Sequence, residues 1–419
     1  MLAIQKKLTN SFYAMLSLPA TAMGFALSVQ ISALSWILSS EYNLDLHEIG
    51  IVWAAGPIAG IIGQLLFGFI SDNMWFWGGR RRPFIIIGGI LASLSLIALP
   101  NLGLISTALG TTDIIMVAIV VALTLDLSIN ISFNPTRSVI TDVTPEGTPR
   151  TKGYTWMQTI SGTFGVLAYA IGAWFGNYVL IYFGVFLVLA FSVIPMFFIS
   201  EPKILGEIDD EDTSEIKVKK TDYFEFAKVF LANGFSWIGV QTMFVYMIGY
   251  VNQYLNPADK TESGQIISIS FLILNAVGAI LPAFFLEPLT EKIGRIKTHA
   301  IALAFMSSGY AGIVFFGTSS FIVYILMAVA GIGWAAIVSL PFAIMSEKIN
   351  QTKMGLFMGI FNLSIVLPQL LVSLVIGKFV QDATDKNLIF IIAAVSLAIS
   401  TLLWSIVKES KAVKSELAE

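Results

Sequence analysis

Residues 114–143 read IIMVAIVVALTLDLSINISFNPTRSVITDV, a long apolar stretch with one carboxylate, Asp126, near its middle. About 20 apolar residues are enough to cross the hydrocarbon core of a bilayer, so this stretch predicts a transmembrane helix. A charge at that depth is costly and is rarely present without a function. Asp126 is therefore the first candidate for a functional residue, and Arg137 lies eleven residues further along.

The composition of the whole chain agrees with a membrane protein. Of its 419 residues, 56% are hydrophobic and 12% are charged, and the mean hydropathy is +0.81. Soluble proteins carry roughly 25% charged residues, about twice as many. The composition predicts an integral membrane protein that crosses the lipid bilayer many times.

Several functional classes are not expected from the residue types. The chain has no cysteine and only two histidines, so we expect neither a metal site nor a disulfide, and no cofactor. It contains no GxSxG, HExxH or Walker sequence, so we do not expect an enzyme. With a net charge of −3 and no basic arm, a nucleic-acid partner is not expected.

The apolar segments predict an all-α membrane protein with twelve transmembrane helices in two groups of six. Polar residues 201–228 separate the groups, so the predicted domains are an N-terminal bundle (1–200), a linker (201–228) and a C-terminal bundle (229–419). The predicted helices centre near residues 26, 60, 92, 127, 163, 189, 240, 275, 306, 331, 367 and 397.

Lysine and arginine predict the orientation of the helices. With Arg137 set apart, only Lys260, Lys378 and Lys386 fall on one side of the predicted membrane, and the other basic residues fall opposite. Because cytoplasmic loops carry the excess of positive charge, we expect both termini and the linker in the cytoplasm. The expected location is the cell inner (plasma) membrane, as a multi-pass protein.

Two loops form an internal repeat, 215 residues apart. The loop after the second helix reads GFISDNMWFWGGRRRPF and the loop after the eighth reads LEPLTEKIGRIKTH. In each loop an acid precedes an arginine by eight residues, and a glycine directly precedes that arginine (Asp72 and Arg80; Glu287 and Arg295). Two like-oriented halves predict a duplicated transporter with its site between the halves.

These charges predict a gate at the cytoplasmic ends of the helices. Acid–arginine pairs there would hold the ends of the two halves together and break when the protein opens inward. A plain positively charged loop is the alternative interpretation. The predicted gate residues are Asp72, Arg80, Arg81, Arg137, Asp142, Glu287, Arg295 and Glu347.

Several stretches together resemble the major facilitator superfamily, in particular the sucrose–proton symporters and the related glycoside–pentoside–hexuronide group. The similar stretches lie in both halves of the chain: GPIAGIIGQLLFGFISD (56–72), GRRRPFIIIGG (79–89), LDLSIN (125–130), NPTRSVITD (134–142), PFAIMSE (341–347) and GIFNLSIVLPQLLVS (359–373).

The resemblance implies alternating access, proton-coupled uptake and a glycoside substrate. It places the coupling carboxylate of the family on Asp126 and its fourth-helix arginine on Arg137. Residues 243–256, MFVYMIGYVNQYLN, lack the acidic residues associated with the plant branch. We therefore expect a bacterial-type transporter of maltose or another disaccharide at least as much as a sucrose transporter of the plant type.

Asp126 has the properties of a proton site. Burial disfavours a charged carboxylate, and a protonated carboxyl donates a hydrogen bond where the anion only accepts. The hydrogen bonds between Asp126 and substrate hydroxyls can thus depend on whether Asp126 is protonated. The alternative is a structural aspartate that holds helices together. Arg137 lies about 16 Å away along the helix, too far for an ion pair with Asp126, so we assign it to the gate.

Sugar binding needs amides for the hydroxyls and aromatic rings for the C–H faces. Mid-helix amides and tryptophans supply both groups, although each amide can equally serve as a hydrogen bond between helices. The predicted substrate-binding residues are Asn130, Gln30, Gln64, Trp237, Gln241, Asn275, Trp334 and Asn362.

The predicted function is proton-coupled symport of a disaccharide or related glycoside. A sodium-coupled or exchange-type sugar carrier is the main alternative. A drug–proton antiporter would use similar parts, and a channel, which would not need a duplicated gate with a lone titratable site, is a further alternative. The expected partners are a small sugar, a proton (sodium in the alternative) and the lipid bilayer, and we expect a monomer.

Overall fold

The computed structural model describes residues 7–144, 148–201, 221–281, 286–349 and 354–409. Most of these residues are helical, and among them the one β-type pairing is an isolated bridge between Phe76 and Gly79. The α-helices are α1 (Asn10–Ser40), α2 (Leu46–Trp53), α3 (Ala55–Asn73), α4 (Arg82–Ala98), α5 (Leu102–Ala108), α6 (Ile114–Val143), α7 (Thr148–Phe175), α8 (Asn177–Val193), α9 (Tyr223–Tyr250), α10 (Lys260–Leu281), α11 (Glu287–Ile293), α12 (Arg295–Phe316), α13 (Ser320–Ser346), α14 (Met354–Leu371), α15 (Gly377–Asp382) and α16 (Leu388–Ser405).

Side-chain caps define where several helices begin. Asp113 accepts a hydrogen bond from the Met116 backbone N–H at the start of α6, and Asp222 does the same for Glu225 at the start of α9. Each cap satisfies one of the backbone donors that a first helical turn leaves without an intrahelical partner. The acidic residues that end the predicted loops therefore set the first residue of these two long helices.

Ten helical segments of the described chain are long and apolar enough to cross a membrane. Two further long helices, α7 and α9, have 28 residues each but are not among these ten. Both carry many polar side chains, as in TPRTKGYTWMQT at the start of α7. The structure therefore confirms an all-helical membrane protein, with ten of the twelve predicted spans identified by length and composition.

The chain divides into two units. The first comprises Met1–Asp209 with Lys260–Ser268, and the second comprises Asp210–Asp259 with Ile269–Glu419. The first nine residues of α10 thus belong to the first unit. There, the Lys260 carbonyl accepts from the Trp36 indole N–H at 2.6 Å, and Ser268 donates to the Asn177 side chain at 3.1 Å. The predicted domain limits at 200 and 228 remain a prediction.

In the first unit, α6 lies at the centre of the packing. It contacts α3 and α4, while α1 packs against α7 and α8. An apolar cluster at one end of this unit joins four of its helices and stabilises the ends of α4 and α6. Its buried members are Phe12, Leu16, Ile85, Val139, Ile140, Val143, Met157, Met196 and Ile199.

In the second unit, α9 packs against α14 and α16, and α12 packs against α13 and α16. Small residues allow α12 and α13 to approach closely, and Ala302, Ala335 and Ala336 form a buried cluster with Leu286. Such small-residue contacts are typical of membrane helices, because lipid supplies no hydrophobic force between them.

Candidate functional site

Asp126 lies where three helices of the first unit meet. Its side chain is buried, with 8% of the residue exposed, and its Oδ2 accepts a hydrogen bond of 2.9 Å from the Gln30 amide of α1. Gly56 of α3 faces the same carboxylate, since a Cβ there would lie 3.4 Å from Oδ2 and 3.5 Å from Oδ1. The predicted functional carboxylate and one predicted amide are therefore in direct contact.

Asn130 lies one turn from Asp126 on α6, but its amide faces its own helix. Its Nδ2 donates to the Asp126 backbone carbonyl at 2.8 Å. The side chain also packs on Gly63 of α3, where a Cβ would approach the Asn130 Cβ to 2.7 Å. Only glycine fits at position 63 without a shift of Asn130, so this contact holds α3 close to α6.

Arg137 takes part in neither of the two ion pairs described for the predicted gate. Its guanidinium lies over the Phe133 ring at 4.0 Å, and its backbone carbonyl accepts from the Tyr154 hydroxyl at 3.2 Å. Around it is an open cleft of about 580 Å³. The cleft is lined by Arg137, Tyr154, Thr155, Met157, Gln158 and Thr159.

The α7 side of this cleft was missed by sequence reasoning. Thr155, Gln158 and Thr159 are exposed and line the cleft opposite Arg137. The available signal was the low hydropathy of α7, which keeps this helix out of the ten apolar spans. A helix with a polar face is typical of a water-filled path through a membrane protein.

The gate residues of the first unit form an ion pair at the ends of α4 and α6. Arg81 Nε lies 3.1 Å from Asp142 Oδ2, and the two side chains are 7% and 8% exposed. Glu201, predicted to begin the linker, is the third member of this group. Its carboxylate accepts the backbone N–H groups of Arg80, Arg81 and Arg82 at 2.6–2.7 Å.

The second unit repeats this arrangement with other residues. Arg295, at the start of α12, forms an ion pair with Glu347, which follows α13. Glu409 accepts the backbone N–H groups of Arg295 and Ile296 at 3.2 and 3.1 Å. A carboxylate after the last helix of each unit thus binds the N-terminus of a helix, where the unpaired donors and the helix dipole favour an anion.

The two matched glycines of the sequence repeat make room for these carboxylates. A Cβ at Gly79 would lie 2.5 Å from Glu201 Oε1, and a Cβ at Gly294 would lie 2.8 Å from Glu409 Oε2. Gly294 also has a φ of +90°, which side chains rarely adopt. The sequence showed both glycines, but their partners lie more than 110 residues away and could not be found from local spacing.

Both described ion pairs of the predicted gate join two elements of the same unit. A gate that holds the two halves together therefore remains a prediction. The side chains of three predicted residues, Gln64, Asp72 and Glu287, lie outside the described part of the structure.

Predicted sugar-binding residues of the second unit come together around Trp334. Its indole N–H donates to Asn275 Oδ1 at 3.1 Å, and its ring lies 6.3 Å from the Trp237 ring. Gln241 is buried and accepts from the Gln369 amide at 3.3 Å. Asn362 is half-buried on α14.

The fold and the site define a class of protein. Ten apolar spans, a buried acid bonded to an amide in the first unit and a repeated group of charges in each unit are features of a multi-pass membrane transporter with duplicated halves. The family model of the Major Facilitator Superfamily matches residues 16–371 and 229–418. The chain belongs to this superfamily.

Named relatives match most of the chain. Sucrose transport protein SUC4 of Arabidopsis thaliana is 23% identical over 424 residues, which cover 86% of this chain and 82% of that protein. Sucrose transport protein SUT2 of Oryza sativa subsp. indica is 25% identical over 437 residues, covering 86% and 85%. The sucrose-transporter resemblance of the sequence is confirmed.

A solved structure shows the same fold. The inward open conformation of the xylose transporter XylE from E. coli is similar with a TM-score of 0.71 and 15% identity, covering 97% of this chain and 98% of that chain. At this identity the similarity shows the fold alone.

We expect Glu201→Ala to lower the apparent Tm of the purified protein, since it leaves three backbone N–H donors at the start of α4 without their carboxylate. The expected loss is about 1–3 kcal/mol of stability. Glu409→Ala should act in the same direction in the second unit. Asp382→Asn, which removes an exposed carboxylate, is the control and should leave the Tm unchanged. An unchanged Tm in Glu201→Ala would contradict the anchoring role.

The ion pair of Arg81 and Asp142 predicts a non-additive pair of substitutions. Asp142→Leu removes the carboxylate that faces a buried guanidinium, which costs about 3–5 kcal/mol for a buried pair. The double variant R81M/D142L removes both charges and should recover part of the lost stability. Thermal unfolding of Asp142→Leu, Arg81→Met and the double variant measures this coupling; strictly additive losses would exclude it.

Proposed function

We propose that this chain is a secondary active transporter that carries a disaccharide or related glycoside, of the sucrose or maltose class, together with a proton. The single observation that carries the proposal is the buried hydrogen bond between Gln30 and Asp126. The named relatives support the substrate class, since both are sucrose transport proteins and match over most of their length.

In this proposal α7 and α9 are the two remaining spans. Their 28 residues are sufficient to cross a bilayer, and the exposed polar side chains of α7 suit a path for substrate. The protein then has twelve transmembrane helices in two six-helix bundles, 1–200 and 229–419, joined by the linker 201–228. The distribution of lysine and arginine supports cytoplasmic termini in an inner (plasma) membrane.

The proton step takes place at Asp126. The Gln30 amide N–H can bond either the carboxylate or the carbonyl oxygen of the neutral acid, so the pair can persist in both protonation states. Gln30 Oε1 is buried and has no hydrogen-bond partner among the described residues. It is available to accept the O–H of protonated Asp126 or a substrate hydroxyl.

The sugar step uses the polar groups that each unit presents. In the first unit these are Asp126, Asn130 and the cleft beside Arg137, and in the second unit they are the amides and tryptophans near Trp334. Protonation of Asp126 changes its hydrogen bonds from acceptor only to donor and acceptor. Substrate that bonds the neutral acid better than the anion is therefore transported together with the proton.

We expect Asp126→Asn to abolish sugar accumulation driven by a pH gradient in proteoliposomes, because asparagine cannot release a proton. Sugar counterflow, which needs no net proton movement, should continue at a rate within about tenfold of the unchanged protein. Asp113→Asn is the matched control: it makes the same change on the same helix and keeps the cap of α6, so accumulation should persist. Proton-driven accumulation in Asp126→Asn would contradict the assignment.

The same vesicles distinguish the alternatives. Accumulation that follows an imposed sodium gradient at constant pH favours a sodium-coupled carrier. Counterflow without accumulation under either gradient favours an exchange-type carrier. Flux that only follows the sugar gradient and lacks counterflow favours a channel.

Arg137 lines a polar cleft, and the described ion pair of Asp142 is with Arg81. We therefore expect Arg137→Ala to raise the KM for sugar more than it lowers turnover. The loss of one charged hydrogen-bond donor corresponds to about a tenfold or larger increase in KM. Gln158→Leu, on the opposite wall, should raise KM by a smaller factor. A large fall in turnover at unchanged KM would instead support the original assignment of Arg137 to the gate.

A further inference from the structure

Trp334 of α13 is half-buried and contacts two aromatic rings of the second unit. Its ring meets the Trp237 ring at 77° with 6.3 Å between centroids, and the Phe244 ring at 76° with 5.4 Å. Both neighbours lie on α9, two helical turns apart. Edge-to-face contacts at these distances are favourable and fix the relative orientation of the rings.

A hydrogen bond fixes the indole from the side of α10. Asn275 Oδ1 accepts the Trp334 Nε1–H at 3.1 Å, while Asn275 Nδ2 donates to the Phe271 carbonyl at 2.9 Å. The amide nitrogen is thus already used on its own helix, so the oxygen must face the indole. Asn275 holds Trp334 in one orientation because each end of its amide has a separate partner.

Gly278 provides the space for this orientation. It lies three residues after Asn275, on the same face of α10, and a Cβ at this position would lie 2.7 Å from Trp334 Cδ1 and 3.5 Å from Nε1. The first distance is shorter than real Cβ contacts, so a larger residue must displace the indole. The glycine therefore sets how closely the Trp334 ring lies against α10.

The surroundings of the two tryptophans favour a polar ligand with an apolar face over a lipid chain. Trp237, Asn275 and Trp334 are each half-buried, whereas Phe244 and Phe271 behind them are buried. Gln241 follows Trp237 by one turn and is bonded to Gln369. A lipid tail gains nothing from amides, whereas a sugar ring presents C–H groups on its faces and hydroxyls at its edge.

We propose that Trp237 and Trp334 form an aromatic corner that packs against the C–H face of one ring of the sugar substrate, with Asn275 and Gly278 as positioning residues for Trp334. This inference rests on the proposed function, since it names a subsite of the same transporter. The hydroxyls at the edge of that ring are then free to bond the neighbouring amides. The corner carries no titratable group, so it contributes to affinity and not to proton coupling.

The first experiment measures initial rates of sugar uptake in proteoliposomes. Trp334→Ala should raise KM about tenfold, with turnover within about twofold, and Trp334→Phe should give a smaller increase because a ring remains. Trp174→Phe is the control, since this residue of α7 is 70% exposed and lies outside the corner; its KM should be unchanged. An unchanged KM in Trp334→Ala would overturn the proposal.

The second experiment tests the positioning residues by non-additivity. Gly278→Ala and Asn275→Leu should each raise KM in the unchanged background, but neither should raise it further when combined with Trp334→Ala. A purely structural role of Gly278 predicts additional loss in the double variant and would overturn its assignment. Binding of sugar to purified protein, followed by the change in tryptophan fluorescence, should show a smaller signal in Trp334→Phe than in Trp174→Phe.

The outcomes separate this inference from the proposed function. If the unchanged protein shows neither counterflow nor a fluorescence response with any disaccharide or monosaccharide tested, the proposed function fails. If it transports a sugar and Trp334→Ala transports that sugar with the same KM, only the aromatic corner fails. Loss of proton-driven accumulation in Trp334→Ala, with counterflow intact, would also contradict a subsite that is independent of the proton.

Discussion

The hydrocarbon core of the membrane offers no hydrogen bonds, and this constraint shapes the fold and the site of this transporter. Polar side chains within the helices therefore bond inside the protein: Ser17 and Thr21 donate to carbonyls one turn back on α1, and Thr242 does so on α9. Asp126 cannot be satisfied in this way because an anion needs a donor. The Gln30 amide of another helix supplies one, so this carboxylate also joins α1 to α6.

The same constraint explains the charges at the helix ends, where backbone donors have no intrahelical partner. Glu201 and Glu409 bind the starts of α4 and α12, and each carboxylate lies against a glycine of the repeated loop, Gly79 or Gly294, where a Cβ would clash with it. The repeated loops of the sequence therefore form two anion-binding sites at helix starts, and a glutamate of the same chain occupies each of them. Arg81 also forms an ion pair with Asp142, and Arg295 forms one with Glu347. In each unit these charges therefore join the start of one helix to the end of another.

Sequence reasoning succeeded where the signal was local and failed where it required a distant partner. Hydropathy identified most spans and singled out Asp126, because apolar length and an isolated charge are visible in one stretch. Local spacing could not find Glu201 and Glu409, whose contacts cross more than 110 residues. Spacing on a helix placed Asn130 beside Asp126 but could not show that its amide bonds the backbone. The sequence also predicted spans at α7 and α9, but these two helices are not among the ten that are apolar enough to cross a membrane.

In the proposed mechanism the two units present different chemistry to the sugar, and this difference separates proton coupling from sugar recognition. A group that interacts equally with the sugar in both protonation states adds affinity but cannot link the sugar to the proton, because a ligand shifts an equilibrium only through a difference in affinity. The proposed aromatic corner of Trp237 and Trp334 would be such a group. In the same proposal, coupling arises from substrate hydroxyls that bond Asp126, because the hydrogen bonds that this side chain can form change with its protonation. Substitutions near Trp334 should therefore change which sugar is carried, while those near Asp126 should change whether a gradient can drive it.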